Sequence, residues 1–498
     1  MTDTSVETIV EAPEPAAPLA VERPEPVLPD RPAAAGLRVL TIGGSVLRRL
    51  DSFRLEYVYL VVALLWGLTL VVVMPPFGVP DEPAHFFRAW GMAEGQIFPP
   101  RDFKENLPQN VWALQAEFPI GNIGDPAPYV GYDAGKISSL LGESISSIRV
   151  RQVTAIPSQN PVAYVPQALG VEVARVTGFS PLGSFYLARL FNLLASIVLV
   201  FFAIRAAPFG KLMLLLVALF PVTISEMAST SPDALMIAGA FFFTGLVLNL
   251  SERPAVKDKH MVGLLAVAAL LITVKPGYFP LVGLLFLLRP ARFASAKRYA
   301  AWVGGTVAVV LLVAVLTAVL VPKAAAGQAV LGPAQAGADA VAQVKHVLAH
   351  PLDFVRVLSR TFSANTIGYG YWMVGLLGWL TINVSEVAVF VMFALIVIFM
   401  GGFDDEPLVG GRRRSVLLLT WAATMVSLCV AIYAGLSVVG GPMVAGIQGR
   451  YFTPMLPLLL LGLYKLRLRR RSVAVIVLLV ALAFVAIVTM RAIWFHYY

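Results

Sequence analysis

Long apolar runs recur through most of this 498-residue chain and limit what it can fold into. A helix that crosses a bilayer needs about 20 consecutive, mainly apolar residues. The runs that meet or approach this length are residues 57–74, 182–204, 211–227, 233–250, 261–274, 277–288, 301–321, 384–400, 415–437, 451–464 and 473–492. The sequence therefore predicts an all-α polytopic membrane protein with about eleven transmembrane helices.

The composition excludes several other classes of protein. Hydrophobic residues make up 58% of the chain and charged residues 13%, whereas soluble domains carry about 25% charged residues. A soluble fold of this size has too little interior to cover so much apolar surface. A water-soluble enzyme and a disordered regulator are both excluded. The single cysteine, Cys429, allows no internal disulfide and is predicted to be a small buried hydrophobe.

The basic residues indicate the direction of insertion, because cytoplasmic loops of membrane proteins are enriched in Lys and Arg. With a cytoplasmic N-terminus and eleven crossings, the dense basic clusters after the first span all fall in cytoplasmic loops. These clusters are residues 205–211, 253–259, 289–298, 412–414 and 465–471. The C-terminus is then extracytoplasmic, and segments 261–274 and 277–288 are two short helices rather than one. The net charge of +9 is thus an orientation signal, and no nucleic-acid partner is expected.

Two kinds of region lie outside the predicted spans. Residues 1–36 are rich in Pro, Ala and Glu and are predicted to be a disordered cytoplasmic tail. Residues 37–498 form the transmembrane domain, which includes two extracytoplasmic segments, 75–181 and 322–371. A helix predicted over 338–362 either lies on the outer leaflet or packs over the helix bundle.

The first extracytoplasmic segment begins with a group of acidic and basic residues. If a helix starts at Asp81, then His85 and Arg88 share its face, and Glu82 lies about 100° away. One of the carboxylates then suits a general base, since His or Arg neighbours tune its pKa. Alternatively, Asp81 only caps the helix and Arg88 only pairs with it. No Asp-x-Asp and no spaced His pair lies nearby, so no metal ligands are assigned, and a divalent cation is left open.

Other charged residues lie where apolar runs end or inside them. Lys275 and Arg450 either extend toward lipid headgroups or bind an anion such as a phosphate. Asp233 opens the fourth span and is either a helix cap or a ligand-binding residue. Glu226 and Arg189 are intramembrane or edge charges, for which an ion pair inside the bundle is the simplest interpretation.

Five short motifs together resemble a known family. They are residues 80–86, 160–170, 231–234, 275–278 and 448–452. Over residues 55–490 the chain resembles the bacterial membrane family called domain of unknown function 2142. This family is similar in layout to the glycosyltransferase C superfamily of polytopic enzymes. The resemblance implies a bacterial envelope setting, sugars linked to a polyprenyl phosphate, and an acidic motif that falls on Asp81 and Glu82.

The resulting expectation is a membrane glycosyltransferase of the bacterial plasma membrane. It moves a sugar from a polyprenyl-phosphate donor to a cell-envelope glycan or lipid acceptor on the extracytoplasmic side. Asp81 or Glu82 deprotonates the acceptor hydroxyl. The expected substrate-binding residues are His85, Arg88, Asp233, Lys275, Gln448, Arg450 and Tyr451. The alternative is a transporter or flippase for a lipid-linked or anionic solute, in which the acidic pair couples to protons.

Overall fold

The computed structural model describes most of the chain, and most of the described residues are helical, as predicted. The described ranges are 54–98, 104–118, 133–153, 160–320, 339–403, 409–464, 466–468 and 471–498. The predicted tail, residues 1–36, lies outside them, as do parts of the segments 75–181 and 322–371.

The helices are described in chain order. The first nine are α1 (Leu55–Val73), α2 (Glu82–Ala93), α3 (Gln109–Glu117), α4 (Ala134–Leu141), α5 (Val165–Val176), α6 (Pro181–Ala206), α7 (Lys211–Ala218), α8 (Pro221–Met227) and α9 (Asp233–Glu252). The next nine are α10 (Asp258–Val274), α11 (Ala296–Leu320), α12 (Ala340–Ala349), α13 (Pro351–Ala364), α14 (Thr366–Gly375), α15 (Glu386–Phe399), α16 (Gly411–Leu436), α17 (Leu456–Leu463) and α18 (Arg471–Tyr497). The 3₁₀ helices are Pro161–Tyr164, Pro276–Leu287, Pro290–Arg292 and Gly449–Met455.

In the part of the chain that the structure describes, short strands form three two-stranded sheets. Strands β1 (Lys104–Pro108) and β2 (Arg149–Val153) are antiparallel, with Lys104 opposite Val153. Strands β3 (Leu376–Leu377) and β4 (Ile382–Asn383) are also antiparallel, whereas β5 (Gly401–Phe403) and β6 (Leu466–Leu468) are parallel.

Among the described residues, six helices are long and apolar enough to cross a membrane. These are α1, α6, α9, α11, α16 and α18. The other five predicted spans are shorter or broken. Segments 211–227 and 451–464 are each divided between two helices, while 261–274, 277–288 and 384–400 lie in helices of 17, 12 and 14 residues. Helix length therefore does not confirm the prediction of about eleven spans.

The break predicted between segments 261–274 and 277–288 is present. Lys275 has an extended backbone with φ of −142°, and α10 ends immediately before it. Pro276 and Pro280 lack an N–H donor, so the next twelve residues form a 3₁₀ helix instead of an α-helix. A 3₁₀ helix rises about 2.0 Å per residue, which gives this segment a length of about 24 Å.

Helix α6 packs against α1, α5 and α9. Two glycines allow neighbouring helices to approach its backbone closely. A Cβ atom at Gly170 of α5 would come within 2.4 Å of the Leu187 carbonyl oxygen, and one at Gly245 of α9 within 2.5 Å of that of Ala203. Small residues at helix contacts are typical of packing in membranes.

The helix predicted over 338–362 is two helices, α12 and α13, because Pro351 interrupts the pattern. The apolar face of α13 packs over the bundle. The rings of Phe354 and Tyr433 have centroids 5.6 Å apart, and those of Phe362 and Phe452 are 6.0 Å apart. These contacts show that α13 packs on the bundle, which is one of the two placements considered from sequence.

Candidate functional site

Four charged residues that are distant in sequence form a buried chain of ion pairs. Lys275 Nζ lies 2.5 Å from Asp233 Oδ1, and Arg450 Nη1 lies 2.7 Å from Glu226 Oε1. Arg450 Nε lies 3.5 Å from Asp233 Oδ2 and so joins the two pairs. Asp233, Glu226 and Arg450 are each less than a tenth exposed. The structure thus brings together Asp233, Lys275 and Arg450, three of the residues singled out from sequence.

Breaks between helices position these side chains. Asp233 is the first residue of α9, Lys275 follows α10, and Arg450 belongs to the 3₁₀ helix Gly449–Met455. Tyr451 packs against both cations, with its ring centre 4.8 Å from Lys275 Nζ and 5.6 Å from Arg450 Cζ. The Tyr278 hydroxyl donates a 2.7 Å hydrogen bond to the Tyr451 carbonyl oxygen and joins the two 3₁₀ helices.

Asp81 occupies the N-cap position of α2, as the sequence predicts, but its side chain makes no capping hydrogen bond. Its φ of 61° is in the left-handed region, where backbone strain frequently marks a functional site. Burial raises the pKa of the Asp81 carboxyl, an effect that Asp233 adds to and that Arg450 and Lys275 oppose. Asp81 therefore lies in the electric field of the ion-pair chain, and the residue as a whole is half-buried.

Glu82 has different surroundings from its neighbour. Its two carboxylate oxygens accept hydrogen bonds from Arg189 Nε at 2.8 Å and Nη2 at 2.7 Å, and both side chains are fully buried. The backbone N–H of Thr230 donates to Glu82 Oε1 at 3.1 Å. Arg189 also donates to the carbonyl oxygens of Val71, Met74 and Pro75. Glu82 therefore joins α2 to α6 and to the end of α1.

His85 and Arg88, which were expected to share a face with Asp81, have other partners. His85 Nδ1 lies 2.8 Å from the Tyr164 hydroxyl, and burial lowers the pKa of His85 to about 3. The imidazole is therefore neutral at physiological pH. Arg88 pairs with Glu105 at 3.2 Å rather than with Asp81. It also donates to the carbonyl oxygens of Gln96 and Ile97, so it connects α2 to β1.

A small cavity of about 20 Å³ lies beside the ion pairs. Its walls include Pro80, Glu226, Trp372, Leu380, Gln448 and Arg450. Leu380 has a φ of 62°, so two of the three non-glycine residues with positive φ in the described ranges, Asp81 and Leu380, are at or next to this cavity. Gln448 is thus close to the charged cluster, as was expected from its position before Arg450.

Some ion-pair partners in and near this site could not be identified from the sequence. Glu226 and Arg189 are in ion pairs, as expected for intramembrane charges, but their partners Arg450 and Glu82 are more than a hundred residues away. The only sequence signal was the presence of unmatched charges of both signs in apolar runs. Within the ranges described, no group of three or more His, Cys, Asp or Glu side chains is arranged to hold a metal ion.

Comparison with known proteins identifies the family. A family model described as "Predicted membrane protein (DUF2142)" matches residues 64–459, and the chain belongs to this family. No curated protein and no solved structure gives a significant match to the chain.

Proposed function

We propose that this member of the DUF2142 family is a membrane glycosyltransferase with a polyprenyl-phosphate-linked sugar as donor. The acceptor is a glycan or lipid of the bacterial cell envelope, and the reaction takes place on the extracytoplasmic side of the plasma membrane. One observation carries the proposal: Asp81, a half-buried residue, lies in the field of two paired cations, Lys275 and Arg450. Transfer from a sugar phosphate needs a base that activates the acceptor hydroxyl, together with cations that bind the phosphate.

Asp81 is the better candidate for the general base. A base must reach the proton that it removes, and its pKa works best when it is raised toward the operating pH. Asp81 is partly exposed, forms no capping bond, and has a raised pKa. Both oxygens of Glu82 accept hydrogen bonds from Arg189, and its side chain is fully buried. Glu82 is therefore assigned to holding the segment that carries Asp81.

Lys275 and Arg450 are proposed to bind the donor phosphate. An ammonium group has three N–H donors and a guanidinium group has five. The observed contacts with Asp233 and Glu226 leave donors on both cations for phosphate oxygens. Asp233 and Glu226 hold the cations in place before the substrate arrives, and Tyr451 packs against both cations. Positioned cations of this kind stabilise negative charge as it develops in a transition state.

The proposed step is a displacement at the anomeric carbon, with inversion. Asp81 removes the proton of the acceptor hydroxyl as that oxygen forms a bond to the anomeric carbon. The bond between the anomeric carbon and the phosphate oxygen breaks, and its electron pair leaves with the polyprenyl phosphate. Lys275 and Arg450 stabilise this charge. The step needs no oxidant or reductant, and a divalent cation remains open as an additional partner.

The membrane arrangement belongs to the same proposal. The five shorter or broken segments complete eleven crossings, in a layout like that of the glycosyltransferase C superfamily, with a cytoplasmic N-terminus and an extracytoplasmic C-terminus. Membrane lipids then surround the bundle. The test uses a Cys429→Ala chain that carries one new cysteine at Asn110 or Glu143. An impermeant thiol reagent added outside intact cells should label either cysteine, whereas labelling only after lysis would contradict the orientation.

The test of activity uses purified protein and radiolabelled polyprenyl-phosphate sugars with cell-envelope acceptors. Transfer by the wild type, with loss in Asp81→Asn, supports the proposal. Asp353→Asn is the matched control, because Asp353 is an exposed carboxylate paired with Arg356 on α13. This control should transfer at the wild-type rate. A folded wild-type protein that transfers from none of the donors would refute the enzyme.

The second candidate is a transporter or flippase for a lipid-linked or anionic solute. One observation favours it: the helix break at Lys275 lies within a buried ion-pair chain, as in transporters with discontinuous helices. Liposomes containing the protein separate the two candidates. Solute uptake or lipid movement without sugar transfer indicates the transporter, and transfer without movement indicates the enzyme.

A further inference from the structure

The cavity beside Arg450 is lined by a buried hydrogen-bond acceptor that lacks a donor. Glu226 uses Oε1 to pair with Arg450, and its side chain also lies within hydrogen-bonding reach of Ser231. Gln448 Oε1 is buried without a hydrogen-bond partner. Both residues line the cavity. A buried acceptor without a donor is costly, so native structures supply one from protein, water or ligand.

The size of the cavity limits which hydrogen-bond donor it can admit. Its volume of about 20 Å³ admits roughly one water-sized group. A whole sugar ring does not fit, but a single hydroxyl does. Pro80, the residue before Asp81, forms part of the wall, and Arg450 forms another part. The cavity is therefore lined by a proposed phosphate-binding cation and by the chain neighbour of the proposed base.

We propose that this cavity recognises one hydroxyl group of a sugar. The hydroxyl donates its hydrogen to Gln448 Oε1, and its oxygen faces the Arg450 guanidinium. This inference rests on the proposed function for the sugar, which is either the donor's sugar or a sugar of the acceptor. It assigns Gln448 to sugar specificity, a role separate from that of Asp81.

The inference has a direct consequence for selectivity. An analogue without this hydroxyl leaves the buried Gln448 Oε1 unpaired, and sites built to bind a hydroxyl reject such analogues strongly. A fluorine in place of the hydroxyl keeps nearly the same size but donates no hydrogen. The affinity for both analogues should therefore be lower than that for the parent sugar by about tenfold or more, because one hydrogen bond to a buried group is lost.

The experiment measures equilibrium binding to the full chain in lipid nanodiscs. The probes are polyprenyl-phosphate hexoses in which each hydroxyl in turn is replaced by hydrogen or fluorine. A parallel series uses short glycan acceptors with the same replacements. We expect a single position, in one of the two series, where both replacements weaken binding, and that series identifies the source of the hydroxyl.

Variants connect the selectivity to this cavity. In Gln448→Leu the ratio of the affinities for the parent sugar and for its analogues should fall toward one. Gln448→Glu keeps an acceptor and should retain the wild-type ratio. Gln109→Leu, at an exposed position on α3, is the matched control and should behave as the wild type. If every analogue binds like its parent, the cavity holds water only and the inference is overturned. Discrimination that persists unchanged in Gln448→Leu also overturns it.

Failure of this inference is distinguishable from failure of the proposed function. Equal binding of all analogues, together with sugar transfer that depends on Asp81, removes the hydroxyl site and leaves the enzyme. Discrimination in binding that Gln448→Leu abolishes, without transfer from any donor, leaves the hydroxyl site and removes the enzyme.

Discussion

Arg189 and Glu82 form a buried pair held by two hydrogen bonds, at 2.8 and 2.7 Å. Arg189 lies in the N-terminal half of α6, and Glu82 is the first residue of α2. The pair therefore fixes the start of α2 against α6. Since Asp81 directly precedes Glu82, the same contact sets the position of the proposed base. Of these two adjacent acidic residues, Glu82 thus has a structural role, and the proposed chemical role falls to Asp81.

We expect Glu82→Gln to destabilise the protein strongly. The substitution leaves the buried Arg189 charge without a counter-ion, and breaking such a pair typically costs about 3–5 kcal/mol. Asp81→Asn should change stability by less than about 1 kcal/mol, because Asp81 forms no capping bond and is partly exposed. Thermal unfolding of both variants in the same detergent measures the difference. Equal melting temperatures for the two variants would contradict the assigned roles.

Part of this site was predictable from the sequence, and part depended on tertiary structure. The break at Lys275 follows from Pro276, and the start of a helix next to Asp81 follows from Pro83, because proline acts locally. The partners of Arg450 and Arg189 are distant in sequence, and no local pattern specifies which carboxylate reaches which cation. The expected shared face of Asp81, His85 and Arg88 is geometrically sound, but Tyr164 and Glu105 pair with His85 and Arg88.

The transmembrane segments were likewise predictable only in part from the sequence. Hydropathy locates apolar segments well, and α1, α6 and α9 lie where the sequence predicts them. Hydropathy does not show whether a segment is one straight helix. Pro221 divides segment 211–227, and Pro454 places part of segment 451–464 in a 3₁₀ helix.

The second prediction concerns the pH dependence of sugar transfer. A general base works only when it is ionised, so the rate should fall as the pH falls through the pKa of Asp81. Burial raises that pKa above the usual aspartate value of about 4. The midpoint of the acidic limb of kcat/KM should therefore lie above 4. The low residual rate of Asp81→Asn should lack this limb, and a midpoint at or below 4 in the wild type would contradict the assignment.

The third prediction concerns donor binding by Lys275. Lys275→Met should weaken binding of the polyprenyl-phosphate sugar about tenfold, because one charge-assisted contact with phosphate is lost. Lys275→Arg keeps the charge and should retain most of the affinity. The double variant Lys275→Met with Asp233→Asn removes both charges of the Lys275–Asp233 ion pair. It therefore separates loss of the phosphate contact from the effect of leaving Asp233 without Lys275. Equilibrium binding in nanodiscs measures all three, and wild-type affinity in Lys275→Met would contradict the phosphate role.

The fourth prediction concerns Glu105 in β1. Burial raises the pKa of Glu105 to about 7, an effect that Arg88 opposes. A carboxyl whose pKa is higher in the folded state stabilises that state when protonated, so its contribution is greatest at low pH. It should be lost as the pH rises from about 4.5 to 7, by at most about 3 kcal/mol. Thermal unfolding from pH 4 to 8 should show this loss in the wild type but not in Glu105→Gln. Parallel curves for the two proteins would contradict it.

The last prediction concerns the close packing of Gly449, directly before Arg450. A Cβ atom there would lie 2.2 Å from the backbone nitrogen of Met373 in α14, and backbone atoms cannot move aside cheaply. Gly449→Ala should therefore cost about 1–3 kcal/mol and weaken both sugar transfer and donor binding, because Arg450 shifts with its neighbour. Gly304→Ala is the matched control, since Gly304 lies within α11 with open space around its Cβ position. In a helix this exchange should stabilise the protein by about 0.5–1 kcal/mol. Thermal unfolding and donor binding of both variants test the contrast, and a Gly449→Ala protein with wild-type stability and affinity would show that α14 and Arg450 are not packed in this way.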